Sequence, residues 1–346
     1  MRDMFDTTTL RGIPLRNRVF RSATWMAMAG EGGVVTDAIV DLYRTCAQGR
    51  VGGIITGFTS ISPHDRELSG AMRLDNDAHI AGHQRLTTAV HEAGGRVFTQ
   101  MAMLDTHGTC GTGCGMPKTV NELSSDDMRG IVALYRDAAV RAERAGYDGA
   151  QIHAAHFFAL SKCISPLHNQ RQDTFGGSTE GRARLLVDIH NAMRGAVGDG
   201  FALLVKINCS DFVTGGLDEN GFLTTCTLLD RAGIDAIEVS GNFTSRPNVR
   251  PGVNEGYFRV AAQRLKKRVR AAVMLVGGLR CMKTLRSIIA DDAIDYVALS
   301  RPLICEPDLV KRWQHGDTRP ARCLSCNACY NTPSHQCVLR LRGAQE

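Results

Sequence analysis

No apolar run in this 346-residue chain approaches the length of a membrane span, and its first residues, MRDMFDTTTL, lack the apolar core of an export signal. Both absences predict a cytoplasmic protein with no membrane partner. Charge of one sign is scarce as well: 41 Lys and Arg face 35 Asp and Glu, for a net charge of +6. The densest basic cluster, RLKKRVR at 264–270, sets Leu265 and Val269 four apart, as on a helix with one wet face. It reads as a solvated face and not as a nucleic-acid surface. The mild positive excess suits anionic cofactors. A glycine fingerprint joining the first strand to its helix, which an open doubly wound sheet would favour, is missing too. The nearest glycine-rich stretch, GTCGTGCG at 108–115, follows the third strand candidate and runs into Pro117, as a loop would. There is no internal repeat beyond a strand–helix rhythm and no low-complexity linker.

What the chain does have is that rhythm. Strand candidates are NRVFRS (17–22), GGIITG (52–57), RVFTQM (96–101), GAQIH (149–153), LLVKIN (203–208), AIEVS (236–240), VMLVGG (273–278) and YVALS (296–300). Most are apolar throughout, as parallel strands covered on both faces are. Helices fit 37–49, 78–94, 124–146, 179–197, 221–232, 256–270, 282–290 and 307–315. In 124–146, Ser124 or Ser125 caps the start, and Ile131, Leu134, Tyr135, Ala138, Ala142 and Ala145 form one apolar stripe. Gly146 permits a left-handed stop. Eight such units predict an α/β fold, a (β/α)8 TIM barrel over 1–316, with an open doubly wound sheet as runner-up. Composition changes after residue 316, so 317–346 is read as a short Cys-rich extension.

In a barrel, chemistry gathers at the C-terminal ends of the strands. Those ends carry Ser22 to Trp25, Gly57, Gln100, His153 with His156, Lys206, Gly277 with Gly278, and Ser300 with Arg301. Paired glycines let a backbone approach an anion, and an arginine offers it a forked donor. A phosphate-bearing cofactor is therefore expected, against the plainer reading of a tight turn and a salt bridge. Lys206 ends an apolar strand as a fixed cation. Gln100 both donates and accepts, which suits a heterocycle edge of alternating carbonyls and N–H groups. For His153 and His156, metal ligation lacks a convergent Asp or Glu, and a satisfied structural pair is the bland alternative. The favoured reading is two imidazole donors converging on one substrate oxygen.

The strings NRVFRSATW, QIHAAHFFALSKCISPLHNQRQDTFGGSTEGRARLL, VGGLR and ALSRPLICEPDLV resemble the Old Yellow Enzyme family of FMN-dependent NADH:flavin oxidoreductases, from about residue 5 to 315. The resemblance implies FMN at the barrel mouth, reduced by NADH or NADPH. It implies flavin contacts from Ser22, Ala23 and Thr24, Gln100 on the pyrimidine edge, and Lys206 near N1 and the C2 carbonyl. Gly277, Gly278, Ser300 and Arg301 match the phosphate grip, and His153 and His156 match the pair that binds the acceptor's oxygen. The expected reaction is hydride transfer through the flavin to an activated alkene. The family usually places a Tyr two residues after the second His; here Phe158 stands there and cannot supply a proton. Trp25, and Ser300 where Gly is commoner, imply an altered pocket.

Cys323, Cys326 and Cys329 form C-x2-C-x2-C, and Cys337 follows after seven residues. The spacing predicts a shared ligand cage. It is similar to the [4Fe-4S] segment of the 2,4-dienoyl-CoA reductase and trimethylamine dehydrogenase branch, with zinc or an empty site as alternatives and His335 as a substitute ligand. In that branch the last gap is longer and a nucleotide-binding half follows; the expectation here is a chain without that half. Cys110 and Cys114 form a second, weaker pair, and the remaining cysteines of the twelve read as small core hydrophobes. Competing functions are an amine-type dehydrogenase passing electrons through the cysteine site, a metal-dependent barrel hydrolase, and a redox-responsive binding protein. The expected partners are a small-molecule substrate, an electron-transfer partner and further copies of the same chain.

Overall fold

Eight short apolar runs become eight parallel strands in the computed structural model, which describes residues 2–65, 68–109 and 115–343. They are Val19–Arg21, Gly53–Ser60, Val97–Ala102, Gly149–Ala154, Ala202–Asn208, Ala236–Ser240, Ala272–Leu275 and Tyr296–Leu299. Each pairs with the next, and the first closes the ring by pairing Val19 with Val297 and Phe20 with Gly53. A closed (β/α)8 barrel results, and the open-sheet alternative falls because no barrel strand is left as an edge.

Closure divides the core into two compartments. Inside the barrel, Phe20, Ile55, Phe98, Leu204, Met274 and Tyr296 pack together, with Leu10, Ile13 and Leu15 against them. The last three come from an antiparallel hairpin, Thr8–Leu10 with Ile13–Leu15, that covers the N-terminal end of the barrel. The two inner phenylalanines need close neighbours without side chains: a Cβ on Gly53 would lie 2.3 Å from the Phe20 ring. Outside the strands, a larger apolar shell joins them to the helices.

The expected helices form at Asp37–Gln48, Ile80–Glu92, Ser125–Arg144, Thr179–Arg194, Glu219–Ala232, Arg259–Lys266, Met282–Asp291 and Leu309–Gln314. Ser124 caps the third, its hydroxyl accepting from the Asp127 N–H at 3.1 Å, and Gly146 follows it with φ +81°. Of its apolar stripe, Leu134 stays half-buried while the other five positions are buried. Among the described residues, no helix is long and apolar enough to cross a membrane.

Beyond Gln314 the chain turns back over the C-terminal end of the barrel. Ala321 N–H donates to Arg280 O at 2.8 Å, and Asn248 N–H donates to Ser325 O at 3.1 Å. Short 3-10 turns at Ala328–Asn331 and Pro333–His335 and a last helix, Val338–Gly343, complete this segment.

Candidate active site

A cavity of about 190 Å3 opens at the C-terminal end of the barrel. Ser22, Ala23, Thr24 and Trp25 after the first strand form one side of it. Gly277 and Gly278 after the seventh, with Ser300 and Arg301 after the eighth, form another, and His156 and Lys206 face in from strands four and five. The glycines are needed where they stand. Gly277 has φ +133° and Gly278 φ +70°, and a Cβ on Gly278 would lie 2.7 Å from the Tyr257 ring. Arg301 is held ready by its surroundings, Nη1 donating to Arg246 O at 2.9 Å and to Asn327 Oδ1.

Beneath the cavity lies a chain of buried polar groups. Lys206 Nζ donates to Ser22 Oγ at 2.8 Å, and Ser22 Oγ donates to Glu238 Oε1 at 2.6 Å. Gln151 Nε2 donates to Glu238 Oε2 at 2.7 Å, and Gln100 Nε2 donates to Gln151 Oε1 at 2.8 Å. The Lys206 ammonium is 3.2 Å from Glu238, so the buried cation is paired.

The histidines stand side by side, with ring centroids 5.2 Å apart. His156 adopts a left-handed backbone with φ +63°, and its N–H donates to Asn208 Oδ1 at 3.1 Å. Asn208 is itself fixed by Asp211 and Asn242, at 3.1 and 2.9 Å. His156 Nε2 lies 2.8 Å from Ser240 Oγ, whereas His153 Nδ1 is buried with no hydrogen-bond partner. Burial, and then the Lys206 charge, push the His156 pKa down to about 3. Burial and the neighbouring His156 and Lys206 hold that of His153 far below the usual imidazole range. Both rings are therefore neutral at pH 7 and act as hydrogen-bonding dipoles.

Residues 3–319 match the family model described as NADH:flavin oxidoreductase / NADH oxidase. The chain belongs to this family. An NADH oxidase of Thermoanaerobacter brockii is 31% identical over 94% of this chain and 53% of its own length. An NADPH dehydrogenase of Bacillus pumilus is 29% identical over 88% of this chain and 92% of its own. A solved 2-naphthoyl-CoA reductase superposes with a TM-score of 0.84 at 21% identity, covering 94% of this chain and 54% of that one, a likeness that establishes the fold. The chain thus spans about half the length of the NADH oxidase it matches.

In this NADH:flavin oxidoreductase family member, Ser22, Ala23, Thr24, Trp25, His156, Lys206, Gly277, Gly278, Ser300 and Arg301 line one cavity. Four expected residues, Gly57, Gln100, His153 and Phe158, do not line it. Gly57 sits at a register shift in the second strand, where its N–H donates to the Tyr43 hydroxyl at 2.8 Å and a Cβ would strike Thr24 O. Gln100 belongs to the buried chain, and the His153 ring lies 5.2 Å from that of His156 and 5.0 Å from that of Phe158. Phe158 packs on Phe58 at 5.3 Å, within a small apolar cluster that includes Trp25, Leu68 and Leu104.

Sequence reasoning missed Gln151, Glu238 and Ser240, although a polar letter inside GAQIH and AIEVS was the available signal. It also missed Thr244, Ser245 and Tyr257 on the cavity wall, and Ser325 and Tyr330 from the tail. Tyr330 and Ser245 hydroxyls lie 2.6 Å apart, and His335 stacks edge-on against Trp25 at 4.8 Å.

The expected metal cage is not shown. Among the described residues, no three His, Cys, Asp or Glu side chains come together in a way that holds a metal ion. Cys323 is buried, Cys326 is exposed, and Cys329 and Cys337 are half-buried. Left-handed residues at Ser325 (φ +53°) and Asn327 (φ +62°) bend the chain between the first three cysteines, which end in different environments. His335 packs edge-on against Trp25 and Tyr330. The arrangement of the tail therefore lends no support to a [4Fe-4S] cluster or zinc. Cys110 and Cys114 lie outside the described residues. Cys46, Cys163, Cys209, Cys226 and Cys305 are buried, as small core hydrophobes should be, while Cys281 is half-buried.

Proposed function

We propose that this chain is an FMN-dependent oxidoreductase that takes hydride from NADH or NADPH and passes it to an electron-poor small molecule, an enone-type alkene being the first candidate. In this reading residues 1–316 are the FMN-binding unit and 317–346 an extension over its mouth. The observation that carries it is one cavity lined by a forked cation, two side-chain-free residues and a buried lysine. Three features suit a flavin: the backbone cradle at Gly277 and Gly278, the paired Lys206, and the unpartnered buried donors His153 Nδ1 and Trp25 Nε1. When bound, FMN supplies the two-electron relay between nicotinamide and acceptor.

The residues divide the remaining work. Gly277, Gly278, Ser300 and Arg301 hold the phosphate, with Thr24 Oγ1 and Ser300 Oγ joined at 2.7 Å to tie the two sides of the cavity together. Ser22, Ala23, Thr24 and Gln100 orient the ring, and Lys206 offsets negative charge beside it. His153 and His156, neutral and fixed, donate to the acceptor oxygen on which charge develops during reduction, without first giving up a proton. Phe158 shapes the pocket and leaves protonation to another group, or to an acceptor that needs no proton at carbon, such as a quinone, whose reduced oxygens take their proton from solvent.

The test is the purified protein under anaerobic conditions. A yellow preparation, or one that turns yellow with added FMN, whose absorbance bleaches with NADH or NADPH and returns with an enone or quinone supports the reading. A protein that fails to bind added FMN overturns it. No specific observation favours the amine-type dehydrogenase or the hydrolase.

A further inference from the structure

One carboxylate lies deeper than the residues assigned above. Glu238, in the sixth barrel strand, is 1% exposed, and the hydroxyl of Ser22, the amide of Gln151 and the ammonium of Lys206 all converge on it. A carboxylate only accepts hydrogen bonds, and this fixes the direction of every bond beyond it. Gln151 must turn its NH2 towards Glu238, so its Oε1 faces Gln100. Gln100 must then turn its own NH2 towards Gln151, as the distances of 2.7 and 2.8 Å record. Its Oε1 is left over and takes no hydrogen bond from a described residue.

We infer that Glu238 is a positioning residue with two effects on the cofactor site: it sets the polarity of the Gln151–Gln100 relay, and it neutralises Lys206. The inference rests on the FMN reading. The first effect makes Gln100 offer a carbonyl oxygen, matched to the N–H that a flavin's pyrimidine edge presents between two carbonyls. The second keeps the net charge under the ring near zero, so that Lys206 orients the cofactor without greatly favouring its reduced, anionic state. No reacting atom touches Glu238; it acts through its neighbours.

Two variants separate the effects. Glu238→Gln keeps the shape, removes the charge and adds donors, so the relay can run backwards and Gln100 can present NH2 against N–H. The FMN dissociation constant of this variant should rise at least tenfold. Its unbalanced Lys206 should stabilise bound reduced flavin over oxidised by at least tenfold, a potential about 30 mV more positive for a two-electron couple. Gln151→Met breaks the relay without touching charge, so FMN affinity should fall by a similar factor while the potential of bound flavin stays in place. A role confined to packing would lower affinity and melting temperature and leave both potentials alone. An unmoved or lowered potential in folded, FMN-loaded Glu238→Gln overturns the charge effect, and unchanged affinity in Gln151→Met overturns the relay. If Glu238→Gln does not fold, the Gln151→Met result still decides the relay, and Glu238→Asp, which keeps the charge, must then retain the parent potential or the inference fails. Wild-type protein that binds no FMN sinks the functional reading itself. Wild type that binds FMN, with both variants indistinguishable from it, sinks this inference alone.

Discussion

Phe158 is the residue whose chemistry most constrains the acceptor. Its ring lies between His153 and Phe58, at 5.0 and 5.3 Å, where a hydroxyl would sit beside the imidazole pair. Phe158→Tyr places a proton donor there, and enone reduction should accelerate with a solvent isotope effect on that step if proton supply limits it. An unchanged rate would mean that another donor already acts. Replacing both His153 and His156 by Ala should weaken phenol and enone binding and slow reduction by about 10²-fold or more, the usual cost of losing such a donor. FMN should remain bound, as its absorbance would show; loss of flavin would contradict the assigned role. At this scale the cavity wall was legible where a polar letter closed an apolar strand, as with Lys206 and Ser300. It was not legible at Glu238 and Gln151. A single polar letter inside a strand does not say which partner waits across a closed barrel.

At the scale of elements, the eight barrel strands and the eight expected helices follow their hydrophobic patterns to within a few residues, because both faces of each strand are covered and few alternatives compete. Elements missed were short and set by tertiary contact: the plugging hairpin, Ala159–Ile164 after the histidines and Arg301–Cys305 after the eighth strand. The cysteine spacing was read as a cage because such spacing is necessary for one, yet the left-handed turns at Ser325 and Asn327 and the unequal burial of the thiols leave no trace in a spacing count. The glycine pair after strand seven was expected to let the backbone approach an anion, and both of its members have positive φ. Its test is Gly278→Ala: a non-glycine residue at φ +70° costs about 1–2 kcal/mol, and the new methyl must also displace Tyr257 from 2.7 Å. Flavin content of the purified variant should fall, and its thermal midpoint with it. A variant with full flavin and unchanged stability would show that the loop can rearrange freely.

The whole molecule carries several buried neutral histidines, and this sets its response to acid. His83 sits 2.6 Å from the Tyr147 hydroxyl and 2.9 Å from Arg73 O, and burial pushes its pKa down to about 4. His153 and His156 are shifted the same way. In the unfolded chain each takes a proton near 6.5, while the folded chain holds them neutral, so the stability they contribute is complete above that pH. It is lost as pH falls from 6.5 towards the folded values, by about 1 kcal/mol for each histidine at one pH unit below 6.5. Asp65 and Glu255 oppose this, since burial raises their pKa and lets the folded chain bind protons first. The histidine share is isolated by comparing wild type with His83→Gln, a site remote from the cavity. Urea unfolding at pH 7.5 and 5.5 should show a loss of stability on acidification that is about 1 kcal/mol smaller in the variant. Equal losses in the two proteins would mean that His83 is protonated in the folded state, and that the barrel yields to water where the structure packs it dry.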